Sequence, residues 1–517
     1  MTPTDAAPEH PSTPSQPAPR RSMLAPLQTP TARRVIDLAS PIGVVALAAV
    51  LRLTNLGEPH ELVFDETYYV KDAYSLWQLG YEGRWPEDAN AAFVAGSSTL
   101  ESTASFVVHP PLGKWILGIG MGLGGIEDPV AWRWPAAVVG ILVVALTLLV
   151  ARGLTRSWTW GALAGLLLAV DGQAIVMSRT VLLDQTLALL VLAGAGALLL
   201  DRLGAAARIA RWRHAHPGSW LGPALWARPW IVAAGVALGA ACAVKWSGLY
   251  FVAAFGLWSV ALDALDRRRA GVRGWHVGTL VTQAPTSLVL LMLPAIAVYL
   301  ASWTGWYGGG YSSDWAEEHP DELLTGALAW VPDRLQSLWH YHEQMWTFHV
   351  GLTNDHPFES PAWQWLPMLR PTAFLLHLDG DMMTFITALA NPFVWFPAVA
   401  GLLVLLYRIG ARLDRAAAFL VVAVAAGYVP WLAFPDRTIF AFYTIVFEPF
   451  LVVGLAYLLW RLVHGRVRPA TARVGRILVA ALVVLAVAGA VFFAPLWYGV
   501  WMPEDALRLR YWLPGWR

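Results

Sequence analysis

Two adjacent acids, Asp65 and Glu66 in FDETYYVKDA, are followed at once by Tyr68, Tyr69, Lys71, Asp72 and Tyr74. A carboxylate in such a setting can serve as a general base. Basic residues recur in other short polar breaks between apolar runs. His109 and Lys114 lie in VVHPPLGKW and Arg133 in WRWP; Arg179 and Asp184 share SRTVLLDQTLAL; Lys245 lies in AVKWSGLY and Arg437 in FPDRTIF. Arginine offers a phosphate a planar fork and lysine a point charge. Gathered from separate breaks, these groups would hold an anionic ligand, a lipid-linked phosphate in particular, beside a base. Singly, each is equally well explained as an interfacial anchor or a local ion pair, and Arg179–Asp184 could be such a pair.

The elements that must position these residues are membrane helices. Of 517 residues, 57% are apolar and 14% charged, against about 25% charged in soluble domains. The net charge of +1 gives no footprint for nucleic acid, and the lone Cys242 excludes an internal disulfide. Residues 1–34, rich in Pro, Ser, Thr, Ala and Arg, read as a disordered cytoplasmic tail. Residues 35–517 form the transmembrane domain. Spans are expected at Val35–Leu53, Trp134–Val150, Trp160–Val176, Leu182–Leu200, Trp230–Val244 and Leu249–Leu265. Further spans are expected at Leu280–Trp303, Phe385–Tyr407, Ala416–Phe434, Ile439–Trp460 and Ile477–Leu496. The segment Leu112–Gly125 is too short and glycine-rich to span, and reads as interfacial.

With eleven spans and a cytoplasmic N-terminus, each inner connection carries arginines, including Arg152 and Arg156, Arg202 to Arg228, Arg267 to Arg273, Arg408 to Arg415 and Arg461 to Arg476. Two long outer loops follow, 54–133 and 304–383, and the chemistry-bearing residues fall on that outer face. The second loop carries Trp306, Trp315, Trp330, Trp339, Trp346, Trp363 and Trp365, which suit an aromatic belt or a sugar-binding face. HYHEQMWTFH has only weak metal-ligand spacing; a polar loop packed against the site is the favoured reading, and no metal is assigned.

Together, and in this order, FDETYYVKDA, HPPLGKW, WRWPAAVVG, SRTVLLDQTLAL, VKWSGLY, LWHYHEQMWTFHVGLTNDHPFESPAWQWLPMLRP, NPFVWFP and RTIFAFYTIVFEPFLVVGLAYLL resemble the protein O-mannosyltransferases, the actinobacterial members above all. The resemblance runs nearly end to end. It implies an all-α polytopic GT-C glycosyltransferase in the plasma membrane, with its active site and C-terminus on the outer side. It implies inverting transfer of mannose from polyprenyl-phosphate mannose to Ser or Thr hydroxyls of secreted proteins, with the secretion translocon as a further candidate partner. Asp65 becomes the catalytic base with Glu66 in support, and Arg133 matches the family's arginine after the first loop. Arg133, Arg179, Lys245 and Arg437 become the phosphate-binding set; His109, Lys114, Asp184, His349, His356, Glu359 and Trp363 are substrate-site candidates. No cofactor is required, though a divalent cation has room. The second outer loop is too short for the β-trefoil of the eukaryotic relatives. Two alternatives stay open: a GT-C enzyme that moves a lipid-linked sugar to a lipid or glycan, and a lipid transporter. The transporter calls for mid-helix charge, which the expected spans nearly lack.

Overall fold

The computed structural model describes residues 30–308, 311–465 and 468–516. The tail expected at 1–34 lies outside the described residues as far as residue 29, and the first helix starts at Pro30. Every expected span contains helix. The helices are Pro30–Leu53, Pro129–Thr155, the pair Trp158–Ala169 and Gly172–Arg179, Leu183–Ala215, Pro229–Cys242 and Gly248–Arg269. They continue with Ala284–Ser302, Pro392–Arg412, Arg415–Tyr428, Glu448–His464 and Pro469–Tyr498. Among the described residues, seven helices are long and apolar enough to cross a bilayer, and eight if the pair Trp158–Ala169 and Gly172–Arg179, bent by 67°, is one span. Ala39–Leu53 and Pro229–Cys242 are shorter apolar helices.

Helix ends follow local chemistry. Asp128, Asp171, Asn391 and Asp414 each cap an N-terminus by accepting a backbone N–H from the first turn. Leu112–Gly124 is a helix of 13 residues, about 20 Å long at 1.5 Å per residue, and so short of a bilayer's apolar core. Its glycines let neighbours close in: a Cβ on Gly120 would lie 1.9 Å from the Ala131 carbonyl oxygen, and one on Gly118 2.5 Å from the Trp77 ring.

The helical class holds, with one small addition: β1 (Thr372–Asp379), β2 (Met382–Ala388) and β3 (Met502–Pro503) form an antiparallel sheet in the order β1-β2-β3. Two expectations change. Phe385, expected to open a span, lies on β2, and the helix begins only at Pro392, capped by Asn391. Mid-helix charge is also present within the expected spans. Asp171 and Glu448 are buried, and the structure accommodates them by breaking the helices there. Asp171 caps the second half of the bent pair and accepts the Asn391 N–H (2.7 Å). Glu448 opens its helix after a turn at Ala441–Val446, and its Oε2 accepts from Gln173 (3.3 Å).

Two ionic layers tie the bundle. One is the cluster around Lys245 and Asp184 described below. The other lies 17 residues further along Leu183–Ala215 from Asp184, about 26 Å at helical rise. There Arg228 bridges Asp201 and Asp263 at 2.5 Å each, Arg202 meets Asp263 at 2.8 Å and Arg415 meets Asp266 at 2.8 Å. Several of the arginines expected in inner loops are therefore spent on carboxylates of neighbouring helices.

Candidate active site

Asp65 is the residue before the helix Glu66–Leu79, whose first turn hangs on its carbonyl through the Tyr68 and Tyr69 N–H groups (both 3.0 Å). Its carboxylate makes no capping bond and stays half-buried and unspent. Phe64, just before it, has φ +53°, a left-handed conformation that costs a non-glycine residue of order 1–3 kcal/mol. Four rings fix it: Phe374 stacked at 4.8 Å, and Phe440, Phe442 and His356 edge-on at 5.7, 5.8 and 5.9 Å. The strain sets the direction in which Asp65 leaves the chain. Burial raises the Asp65 carboxyl to about 6, with Lys245 opposing and Asp184 adding to the shift. A base near neutrality is well placed to take a proton and release it.

Glu66 points elsewhere, because consecutive helical residues diverge by about 100°. It is fully buried and accepts four N–H groups: Arg133 Nε (3.0 Å) and Nη2 (2.8 Å), Val63 N (2.9 Å) and Val181 N (2.9 Å). Val181 is free to donate because Thr180 and Leu182 are extended between two helices. Arg133 is equally spent. Besides Glu66, it donates to the carbonyls of Leu56 (3.4 Å), Pro59 (2.8 Å) and Glu61 (2.7 Å), which uses all five of its N–H groups. The expectation of Arg133 at a phosphate gives way to a structural arginine that folds the 56–66 segment over the bundle.

Five further candidates do not converge with the rest. Arg179 does not pair with Asp184. It donates to the carbonyls of Arg52, Thr54 and Asn55, gathering the C-terminal end of the first helix, and stacks on Tyr498 at 4.6 Å. Lys114 is buried against Glu82 (2.5 Å) and Asp72 (3.5 Å), and Glu82 also accepts from Trp306 Nε1 (2.6 Å). That cluster ties the segment of residues 54–133 to that of residues 304–383. Trp363 is exposed; His356 and Glu359 are half-buried and bonded within their own turn, with the Glu359 carboxylate accepting the His356 N–H (3.4 Å).

The remaining candidates converge. Lys245, in the turn between Pro229–Cys242 and Gly248–Arg269, donates to both oxygens of Asp184 (3.0 Å each) and lies 4.2 Å from the Tyr443 ring centre. Burial pulls its ammonium down, but Asp184 outweighs burial and the net shift is upward. Arg437 donates from Nε to the His349 carbonyl (2.9 Å) and from Nη2 to His349 Nδ1 (3.2 Å). His349 Nε2 donates to the Val108 carbonyl (2.8 Å), which fixes the tautomer. Burial, partly opposed by that bond, lowers His349 to about 4, so the ring is neutral. His109 stacks on it at 5.1 Å and is held well below its ordinary value, first by burial and then by the surrounding cations.

His109, Lys245, His349 and Arg437 line one cavity, walled by Trp246, Tyr250, Trp346 and Trp431. Two buried nitrogens in it lack a protein partner among the described residues: Nη1 of Arg437 and Nδ1 of His109. Unpaired buried polar groups are rare and costly. Here they crown a cationic pocket that an anion would satisfy. Through Trp246, Leu249 and Trp346 the cavity continues into an apolar groove along Cys242, Val252, Met292 and Ile296. No group of three or more His, Cys, Asp or Glu residues arranged to hold a metal occurs among the described residues.

Sequence reasoning missed the four-ring clamp on Phe64 and the buried set of Arg52, Asp171 and Glu448. Arg52 donates to Ser178 (3.1 Å) and to the Ala169 carbonyl (3.2 Å). A positive φ at a phenylalanine leaves no trace in composition. A charge within an apolar run does, and Asp171 and Glu448 could have been found by that signal.

Residues 43–303 match the family model described as dolichyl-phosphate-mannose-protein mannosyltransferase. Residues 334–516 match that of the C-terminal four-span region of protein O-mannosyltransferase. Polyprenol-phosphate-mannose–protein mannosyltransferases of Mycolicibacterium smegmatis and Mycobacterium tuberculosis are each 33% identical to the chain over 92% of it, covering 92% and 91% of their own lengths. The enzyme of that name from Corynebacterium glutamicum is 31% identical, covering 92% of both chains. The fold is also that of the S. cerevisiae protein O-mannosyltransferase Pmt1–Pmt2 complex bound to the sugar donor, with a TM-score of 0.70, 15% identity, and 96% of this chain and 94% of that one covered.

Proposed function

The chain belongs to the dolichyl-phosphate-mannose–protein mannosyltransferase family, and from that premise we propose how its residues carry mannose from a polyprenyl phosphate to a protein hydroxyl. The protein is a multi-pass GT-C glycosyltransferase. Asp65 accepts the proton of a Ser or Thr hydroxyl as that oxygen attacks C1 of the mannose. The bond from C1 to the phosphate oxygen breaks on the opposite face, the configuration inverts, and the electron pair leaves on the polyprenyl phosphate. A phosphate leaves as an anion and needs no proton, so the site requires cations rather than an acid.

Lys245 and Arg437 are those cations. Asp184 holds the ammonium, and His349 grips Arg437 by two bonds so that Nη1 is turned to the ligand; His109, in its Nδ1–H tautomer, offers a further N–H. The apolar groove below Trp246 and Trp346 takes the first isoprene units. Glu66 and Arg133 fix the segment that carries Asp65. The observation that carries this reading is the pair of unpartnered buried nitrogens, Arg437 Nη1 and His109 Nδ1, in one cavity beside Lys245. The plasma membrane as location, an outward-facing Asp65 and an acceptor delivered by the secretion translocon complete the proposal; the arginines of the inner connections support the orientation. A charge-assisted contact is worth about 1.5–3 kcal/mol, or about 10- to 150-fold. Arg437→Met should raise the donor KM by that factor with the peptide KM unchanged. An unchanged donor KM would remove Arg437 from the site.

A further inference from the structure

A second cleft, of about 720 Å³, is lined by Thr54, Glu58, Glu61, Arg179, His377 and Tyr498 among others. Its floor is Arg179, whose Nη1 and Nη2 donate to three carbonyls, while Nε and the second Nη2 hydrogen have no protein partner among the described residues. Its walls carry two carboxylates. Glu61 meets His377 Nε2 at 2.8 Å, and Glu58 is exposed and makes no side-chain bond. The rim is apolar: Val491, Ala494 and Pro495 come from the outer end of Pro469–Tyr498, with Trp501 beyond. That helix is the least buried of the spanning set, and Val491 is 73% exposed, so the cleft opens sideways into lipid.

The charges define a ligand. The lining holds one guanidinium and two carboxylates, of which Glu61 is already paired with His377, so a purely anionic headgroup would still meet the free carboxylate of Glu58. A headgroup with a phosphate and a primary ammonium meets Arg179 with the first and Glu58 and Glu61 with the second. A trimethylammonium has no N–H to donate to a carboxylate, whereas an –NH₃⁺ has three. We propose that this cleft binds the headgroup of an ethanolamine phospholipid from the leaflet on the Asp65 side, its acyl chains lying along Val491 and Pro495. The site stands independently of the transfer reaction. Filled, it would brace the turn of Thr54 to Glu61, which leads to the catalytic segment.

The test uses the full chain in detergent, challenged with ethanolamine, choline and glycerol phospholipids of identical acyl chains and followed by native mass spectrometry. The ethanolamine lipid should be retained several-fold above the other two. Glu58→Gln should lower its retention about two- to fivefold, the range of a solvent-screened ion pair, with mannosyl transfer unchanged. Equal retention of the three lipids, preference for the glycerol lipid, or retention unaffected by Glu58→Gln would each overturn the proposal.

Discussion

Glu66→Gln separates structure from chemistry in the acid pair. The carboxylate accepts four N–H groups, two from Arg133 and two from the backbone at Val63 and Val181. A carboxamide keeps one oxygen, which accepts at most two of these, and turns an NH₂ towards the others. Arg133 would then be buried beside a neutral group. Removing one partner of a buried ion pair costs about 3–5 kcal/mol. Both residues are sealed from water, so screening does not reduce the figure. The expected outcome is a purified protein that inactivates on heating at markedly lower temperature, with turnover per folded molecule close to wild type at low temperature. The double variant Glu66→Gln, Arg133→Met should recover part of the loss, because no charge is left stranded. Thermal inactivation and initial rates measured on the same preparation decide the matter. Wild-type heat resistance together with turnover as low as that of an Asp65 variant would show that Glu66 takes part in the chemistry and that its buried pairing with Arg133 does not dominate.

Other outcomes follow from the same geometry. As the proposed base, Asp65 would work only as the carboxylate, and burial raises it to about 6, so turnover should be level above that pH and fall about tenfold per unit below it; a profile flat through pH 6 would contradict this. Phe374→Ala removes the ring stacked on Phe64 and should let the strained turn relax, lowering turnover more than donor binding; unchanged turnover would show that the clamp does not aim Asp65. Single cysteines at the exposed positions Ser97 and Ala215 should react oppositely with an impermeant thiol reagent on intact cells, Ser97 labelling and Ala215 not; equal labelling would refute the orientation.

Much of this was written in apolar run length and arginine placement. All eleven runs carry helix, because a segment that must satisfy its own backbone in lipid has little alternative. The convergence of Lys245, Asp184 and Arg437 was legible for a related reason, since charge at the ends of apolar runs needs a partner or a ligand. What the residue types could not reveal was which partner each charge finds. Arg133, Arg179 and Lys114 look like Lys245 in sequence, yet three backbone carbonyls capture Arg179 and two carboxylates capture Lys114. Those partners come from segments up to 127 residues away. The hairpin at Thr372–Ala388 was hidden for another reason: β2 is as apolar as the helix that follows, and only the Asn391 cap marks where one ends and the other begins.

The central claim is that Asp65 is the base that activates the acceptor hydroxyl. Asp65→Asn keeps the shape and removes the basicity, and because the carboxylate makes no capping bond, folding should be untouched. The measurement is the initial rate of mannose transfer from labelled polyprenyl-phosphate mannose to a Ser/Thr peptide at saturating donor and acceptor, with donor binding and heat resistance followed on the same preparation. Turnover should fall about 10²- to 10⁴-fold, the usual share of a general base, with donor binding and heat resistance unchanged. Near-wild-type turnover in Asp65→Asn would contradict the account.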